Sequence, residues 1–111
     1  MLVDSGSASA SEIVSGALQD YDRATIVGTT TFGKGIVQTL ITFKEDGAGM
    51  QLTTSSYYDG SGRSIHGTGV TPDIQLEFDG DQIPPTPDPA ADNQLATAIE
   101  NVKAKIAEQA Q

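Results

Sequence analysis

The sequence predicts an α/β fold, a mixed β-sheet with flanking helices, and three observations carry that expectation. A short apolar run, Leu2-Val3-Asp4, is followed by a helical pattern and then by a second apolar run, Ala24 to Gly28, which together form a strand–helix–strand unit. Two further strand-like stretches, Ile36 to Phe43 and Met50 to Tyr57, flank Asp46-Gly47-Ala48-Gly49, the pattern of an antiparallel hairpin. A last helix follows a proline-rich stretch at the carboxyl end.

Each element has a local reason. The first helix reads from Ala10 to about Tyr21, with Ile13, Val14, Ala17, Leu18 and Tyr21 on one face of a 3.6-residue period. Ser9, with Glu12 three positions on, matches a capping box and places the helix start. Glycines 28, 33 and 35 punctuate the loop before the hairpin, and a bulge or turn at Gly35 would have to shorten the path if Gln38 is to reach Lys34. Glycines 60, 62, 67 and 69 mark a turn-rich hairpin around Arg63-Ser64-Ile65-His66, and Val70-Thr71-Pro72-Asp73 leads into a strand from Ile74 to Phe78. The acidic stretch with Pro84, Pro85, Pro87 and Pro89 reads as an extended linker. Asp92 then caps a helix to about Ala107, with Leu95, Ile99, Val102 and Ile106 spaced 4-3-4. Three units result: 1–78, a linker over 79–91, and a helix over 92–111.

Composition narrows the function. A hydrophobic content of 37%, with twelve glycines and five prolines, is thin for a self-sufficient core. The net charge of −9 argues against nucleic acid or an anionic membrane as partner. Cysteine is absent, which excludes disulfides and thiolate zinc sites, and no apolar run approaches the roughly 20 residues of a membrane span. Neither a metal nor a cofactor is expected. Met1 directly precedes a strand-like run, so the chain reads as cut into at its amino end.

The chemistry gathers in two stretches. Gly6-Ser7-Ala8-Ser9-Ala10-Ser11-Glu12 carries small residues between strand and helix, where a nucleophile can be presented and free N–H groups can hold an oxyanion. Ser9 is the candidate nucleophile and the Ala10 N–H the candidate oxyanion donor. A bland alternative exists: a serine that merely caps a helix with its hydroxyl. The second stretch, Thr31-Phe32-Gly33-Lys34-Gly35, holds a lysine among small and apolar neighbours. A lysine acts as a base only as the neutral amine, and a desolvating pocket is the usual means. Gly33 and Gly35 would let the backbone pack closely and sink that amine. Gln38 would orient it, although four strand residues span about 13 Å and need shortening. Alternatively Gln38 is a polar residue on a solvent-facing strand. His66 has no carboxylate at a suggestive spacing and reads as surface or structural. The glycine-serine run lacks the Gly-Lys-Ser/Thr ending of a phosphate loop.

These segments, with Gly62-Arg63-Ser64-Ile65 and Gly69-Val70-Thr71-Pro72-Asp73, resemble the carboxyl-terminal processing peptidases, or tail-specific proteases, over about Leu2 to Phe78. The resemblance implies a ClpP/crotonase-like catalytic domain, here truncated at its amino side, and a Ser-Lys dyad. Its nucleophile, the middle serine of the run 25 positions before the lysine, falls on Ser9. The lysine falls on Lys34 and the supporting glutamine on Gln38. The family's PDZ domain, earlier strands and second oxyanion donor have no counterpart in these residues. The expected function is therefore a serine endopeptidase cleaving proteins near their carboxyl termini, extracytoplasmic in a bacterium, with protein or peptide as substrate. The chain alone is expected to be inactive and to self-associate through an exposed edge strand or its last helix. The competing class is a non-catalytic peptide-binding or assembly module on the same scaffold.

Overall fold

The computed structural model describes residues 1–110; Gln111, the end of the expected 92–111 helix unit, lies outside the described residues. In chain order the elements are β1 (Leu2–Val3), α1 (Ala10–Asp20), β2 (Val27–Gly28), β3 (Ile36–Thr42), β4 (Gly49–Ser56), β5 (Ile74–Gln75) and α2 (Asn93–Gln109). β1, β2 and β5 form a parallel sheet in that order, and β3 pairs with β4 as a separate antiparallel ribbon. The α/β class is as expected.

The parallel strands are shorter than the sequence suggests. The run Ala24 to Gly28 contributes only Val27–Gly28 to the ladder. The N–H of Ile26 is instead taken by the Asp73 carboxylate at 2.7 Å, so the backbone stays extended with a side chain as its partner. Asp73 also accepts from Gln19 Nε2 at 2.7 Å, which ties the end of α1 to the entry of β5. Beyond Gln75, where the expected strand would continue to Phe78, the carbonyls of Leu76 and Glu77 accept from Gln94 and Asn93 at the start of α2. Side chains of the helix replace a strand neighbour there.

α1 begins after Ser9 and closes with a Schellman turn: the N–H of Arg23 reaches Leu18 O and that of Asp22 reaches Gln19 O, with Asp22 at φ 51°. The expected apolar face is not the buried one. Glu12, Ser15 and Gly16 are buried, whereas Ile13 is exposed and Val14 is 51% exposed. The 65–70 turn packs on the small face of the helix: a β-carbon at Gly16 would already meet Val70 Cγ2 at 3.5 Å, an ordinary contact distance. A bulkier i, i+3, i+4 face would hold the 65–70 turn away.

The small core consists of Val3, Ile26, Val27, Ile65 and Val70. The β3–β4 ribbon stands clear of it, with Leu40 70% exposed. The molecule extends 64 × 34 × 21 Å with a radius of gyration of 18.1 Å, against about 13 Å for a compact domain of this length. The hairpin expected around Arg63–His66 reduces to one bridge, Tyr58 to Ser64. The turn is built on Asp59, which accepts from Ser61 N–H and Oγ and from Arg63 N–H and Nε. Residues 76–92 hold no strand or helix, and Ile83, Pro84, Pro85 and Pro87 share a shallow pocket with Leu2 and Leu95. α2 is capped by Asp92, whose side chain accepts from Leu95 N–H at 2.9 Å, and it packs on β1 and β2. Leu95 and Ile99 are half-buried in that contact, while Val102 and Ile106 beyond it are exposed.

Candidate active site

The chain leaves β1 through a turn fastened by Asp4. Its carboxylate accepts from Gly6 N–H at 3.0 Å and from the Ser7 hydroxyl at 2.9 Å. That turn delivers Ser9 to the cap of α1 with φ 56° and ψ −114°, a conformation costly for a residue with a side chain. Both residues of a capping box are in place, and Glu12 Oε2 accepts from Ser9 N–H at 2.8 Å. The Ser9 side chain makes no cap hydrogen bond. Its hydroxyl is thus not spent in the way the bland reading requires. The N–H of Ala10, one of the orphan donors of the first turn, has no backbone acceptor among the described residues.

The lysine-bearing loop reaches the same place. Phe32 N–H donates to Ser7 O at 2.9 Å. Glu12 Oε1 accepts from the Thr31 hydroxyl at 2.5 Å and Gly33 N–H at 2.6 Å, and Oε2 accepts from Lys34 N–H at 2.8 Å. Burial pushes the Glu12 carboxyl up, but the bonds from Thr31, Gly33, Lys34 and Ser9 outweigh it and hold the group below its ordinary value. The charged form is the one that accepts four donors. Behind the loop, Thr31 Oγ1 accepts from Val70 N–H at 2.7 Å, and Gly67 N–H donates to Gly33 O at 2.9 Å.

Gly33 and Gly35 do permit close approach, but they sink the backbone and not the amine. A β-carbon at Gly33 would lie 3.1 Å from Gly69 N, while Lys34 itself is exposed. Its ammonium holds no hydrogen bond or ion pair among the described residues. The register shift of the ribbon lies between Val37 and Gln38 and leaves the extra residue, Thr54, on β4, so the irregularity is neither at Gly35 nor in the strand that carries Gln38. Gln38 is exposed, and its side-chain oxygen accepts from Gln51 Nε2 at 2.9 Å across the ribbon. His66 is exposed, with its N–H donating to Ser64 Oγ at 3.3 Å.

The structure therefore brings the backbones of Ser9, Gly33 and Lys34 and the Thr31 hydroxyl onto one carboxylate, and leaves the side chains of Lys34 and Gln38 apart from it. The reach of Glu12 beyond its capping box to the lysine loop, and the part played by Thr31, are what sequence reasoning missed. The signal was present: a glutamate on the small-residue face of α1, and a threonine three positions before the lysine.

A strand, a serine-capped helix entrance and a lysine loop thus meet around one buried carboxylate. Residues 1–76 match the model of peptidase family S41, and the chain belongs to that family. A carboxy-terminal-processing protease of Bartonella bacilliformis is 62% identical over 77 residues, covering 69% of this chain and 18% of the relative. A probable CtpA-like serine protease of Staphylococcus saprophyticus is 48% identical over 77 residues, covering 69% and 16%. Among solved structures, a photosystem II D1 C-terminal processing protease superposes with a TM-score of 0.65 at 46% identity, covering 68% of this chain and 19% of its own. The chain thus spans less than a fifth of the length of these relatives.

Proposed function

We propose that this chain carries the Ser-Lys dyad of an endopeptidase that cleaves proteins near their carboxyl termini. Ser9 Oγ attacks the peptide carbonyl carbon as Lys34 Nζ takes its proton. The oxyanion is held by the Ala10 N–H. Collapse of the tetrahedral intermediate expels the amine, which takes the proton from Lys34 and leaves an acyl-Ser9 ester. Water then attacks that ester, Lys34 accepts its proton, and Ser9 leaves with the proton restored. Gln38 orients the lysine amine once its side chain exchanges Gln51 for Lys34.

One observation carries this reading: a serine in a strained cap whose hydroxyl makes no cap bond, with the lysine backbone fastened to the same carboxylate. The exposure of Lys34 adds a condition. The amine becomes a base when substrate, or protein beyond these residues, takes it out of water. We accordingly assign tail recognition to a PDZ domain in an enzyme of full family length, and place that enzyme outside the bacterial cytoplasm on family grounds. These 111 residues alone are inactive in this reading.

A fluorophosphonate probe, applied to this chain and to a full-length S41 enzyme carrying it, tests the assignment. Labelling of the full-length enzyme that disappears in Ser9→Ala is expected. Undiminished labelling in Ser9→Ala would remove Ser9 from the mechanism.

A further inference from the structure

Burying a carboxylate is unfavourable unless donors match its oxygens, and Glu12 is fully buried with four of them. The proton transfers assigned to Ser9 and Lys34 do not use it. Its position does bear on them, because Oε2 accepts from the N–H groups of both residues at 2.8 Å. The Thr31 hydroxyl accepts from Val70 N–H, so its own proton is directed to Glu12 Oε1. Both oxygens of the carboxylate are therefore engaged, and the side chain has no free rotation.

We propose that Glu12 is a positioning residue for the Ser9–Lys34 pair, with Thr31 as the hydroxyl that anchors it to the 65–70 turn. The proposal rests on the dyad reading above. One carboxylate oxygen sets the spacing of two backbone segments far apart in sequence, so rotation of that side chain displaces nucleophile and base together. It also supplies the bond that holds Ser9 at φ 56°, where the backbone would otherwise relax. An amide cannot substitute: it has one oxygen and would set its own N–H groups against donors already pointing inward. The charged groups nearby do not compete for these contacts. Lys34 meets Glu12 only through its backbone, and Asp4 serves Gly6 and Ser7.

Two measurements test the role. In the 111-residue chain, amide proton shifts of Ser9, Gly33 and Lys34 are followed through an acid titration by NMR. The three should move together, separately from Gly6, and the common transition should be absent in Glu12→Gln. In a full-length S41 peptidase carrying residues 1–76, kcat and KM are compared for Thr31→Val and Thr31→Ser. The valine, which keeps the volume without the hydroxyl, should lower kcat by about 10²-fold with KM nearly unchanged, since a misplacement near 1 Å costs that much. The serine should restore most of the rate. Should Glu12→Gln fail to fold, the threonine pair still decides. Independent titration of the three amides, or a Thr31→Val enzyme with undiminished kcat, overturns the positioning role while an inactive Ser9→Ala preserves the dyad. A fully active Ser9→Ala overturns the dyad, and the positioning role with it.

Discussion

Gly35 lies so close to His66 that a β-carbon on the glycine would stand 2.5 Å from the His66 nitrogen. The loop that carries Lys34 is thus seated on the 65–70 turn by backbone against backbone, with Gly67 N–H donating to Gly33 O beside it. Gly35→Ala should cost about 1–3 kcal/mol, the range for forcing atoms into a filled space. Gly62→Ala, where φ is 83° but nothing lies within 4 Å of the added carbon, should cost about 1–2 kcal/mol from strain alone. Urea midpoints, read with a Lys34 loop probe, distinguish them: Gly35→Ala should shift the loop signal and Gly62→Ala should not.

Lys34→Arg should abolish hydrolysis in a full-length enzyme while leaving the fold intact. Arginine keeps the positive charge but does not deprotonate near neutral pH. The backbone N–H of residue 34, which Glu12 holds, is unaffected by the change. Steady-state peptide cleavage with circular dichroism is the measurement, and more than a few per cent residual activity would show that charge alone suffices.

Gln38→Ala should lower activity less than Ser9→Ala does, because an orienting hydrogen bond is worth about 1 kcal/mol. Gln51→Ala frees the Gln38 oxygen, so it should leave the rate unchanged or raise it slightly. Parallel kcat/KM measurements on the three variants decide the matter. Equal losses for Gln38→Ala and Ser9→Ala would give Gln38 a larger part than orientation.

Acid should destabilise this chain through two carboxylates. Burial pushes Glu12 and Asp59 up, yet hydrogen bonds to each outweigh that and lower both below their ordinary values of 4.5 and 3.8. For Asp59 the bonds come from Ser61 and Arg63, and the Arg63 charge adds to them. A group with a depressed folded value binds protons more readily when unfolded. Its stabilisation is therefore complete above the ordinary value and is lost as pH falls through the folded one. Urea midpoints should hold steady down to about pH 5 and fall below it. The fall should be shallower in Asp59→Asn.

The 111-residue chain on its own should be inactive and should associate with itself. β1 is an edge of its sheet, and Ile13, Val14, Leu40, Leu52, Val102 and Ile106 are exposed. Unpaired strand edges and an apolar helix stripe are both routes to association. Light scattering at several concentrations, run beside a peptide-cleavage assay, should give mass rising with concentration and no turnover. A strictly monomeric, active chain would contradict both parts.

Local chemistry made much of this protein legible from its residues alone. Helix periodicity with Ser9 and Asp92 at the caps placed both helices, and the turn chemistry of Asp46 to Gly49 placed the ribbon. The serine run and the glycine-flanked lysine pointed to the family to which the chain belongs. Those signals are carried by neighbours in sequence, within one turn of helix or one hairpin. Which face of α1 is buried was settled elsewhere, since the polar, small face of Glu12, Ser15 and Gly16 wins only when the lysine loop and the 65–70 turn press against it. The same holds for Asp73, which replaces a strand partner for Ile26 from 47 positions away. Hydrophobic periodicity counts apolar surface and carries no record of which polar groups converge from distant segments. The exposed Ile13 and Val14, and the Glu12 carboxylate buried in their place, were therefore decided by tertiary structure, because only there do the four N–H and O–H donors meet one side chain.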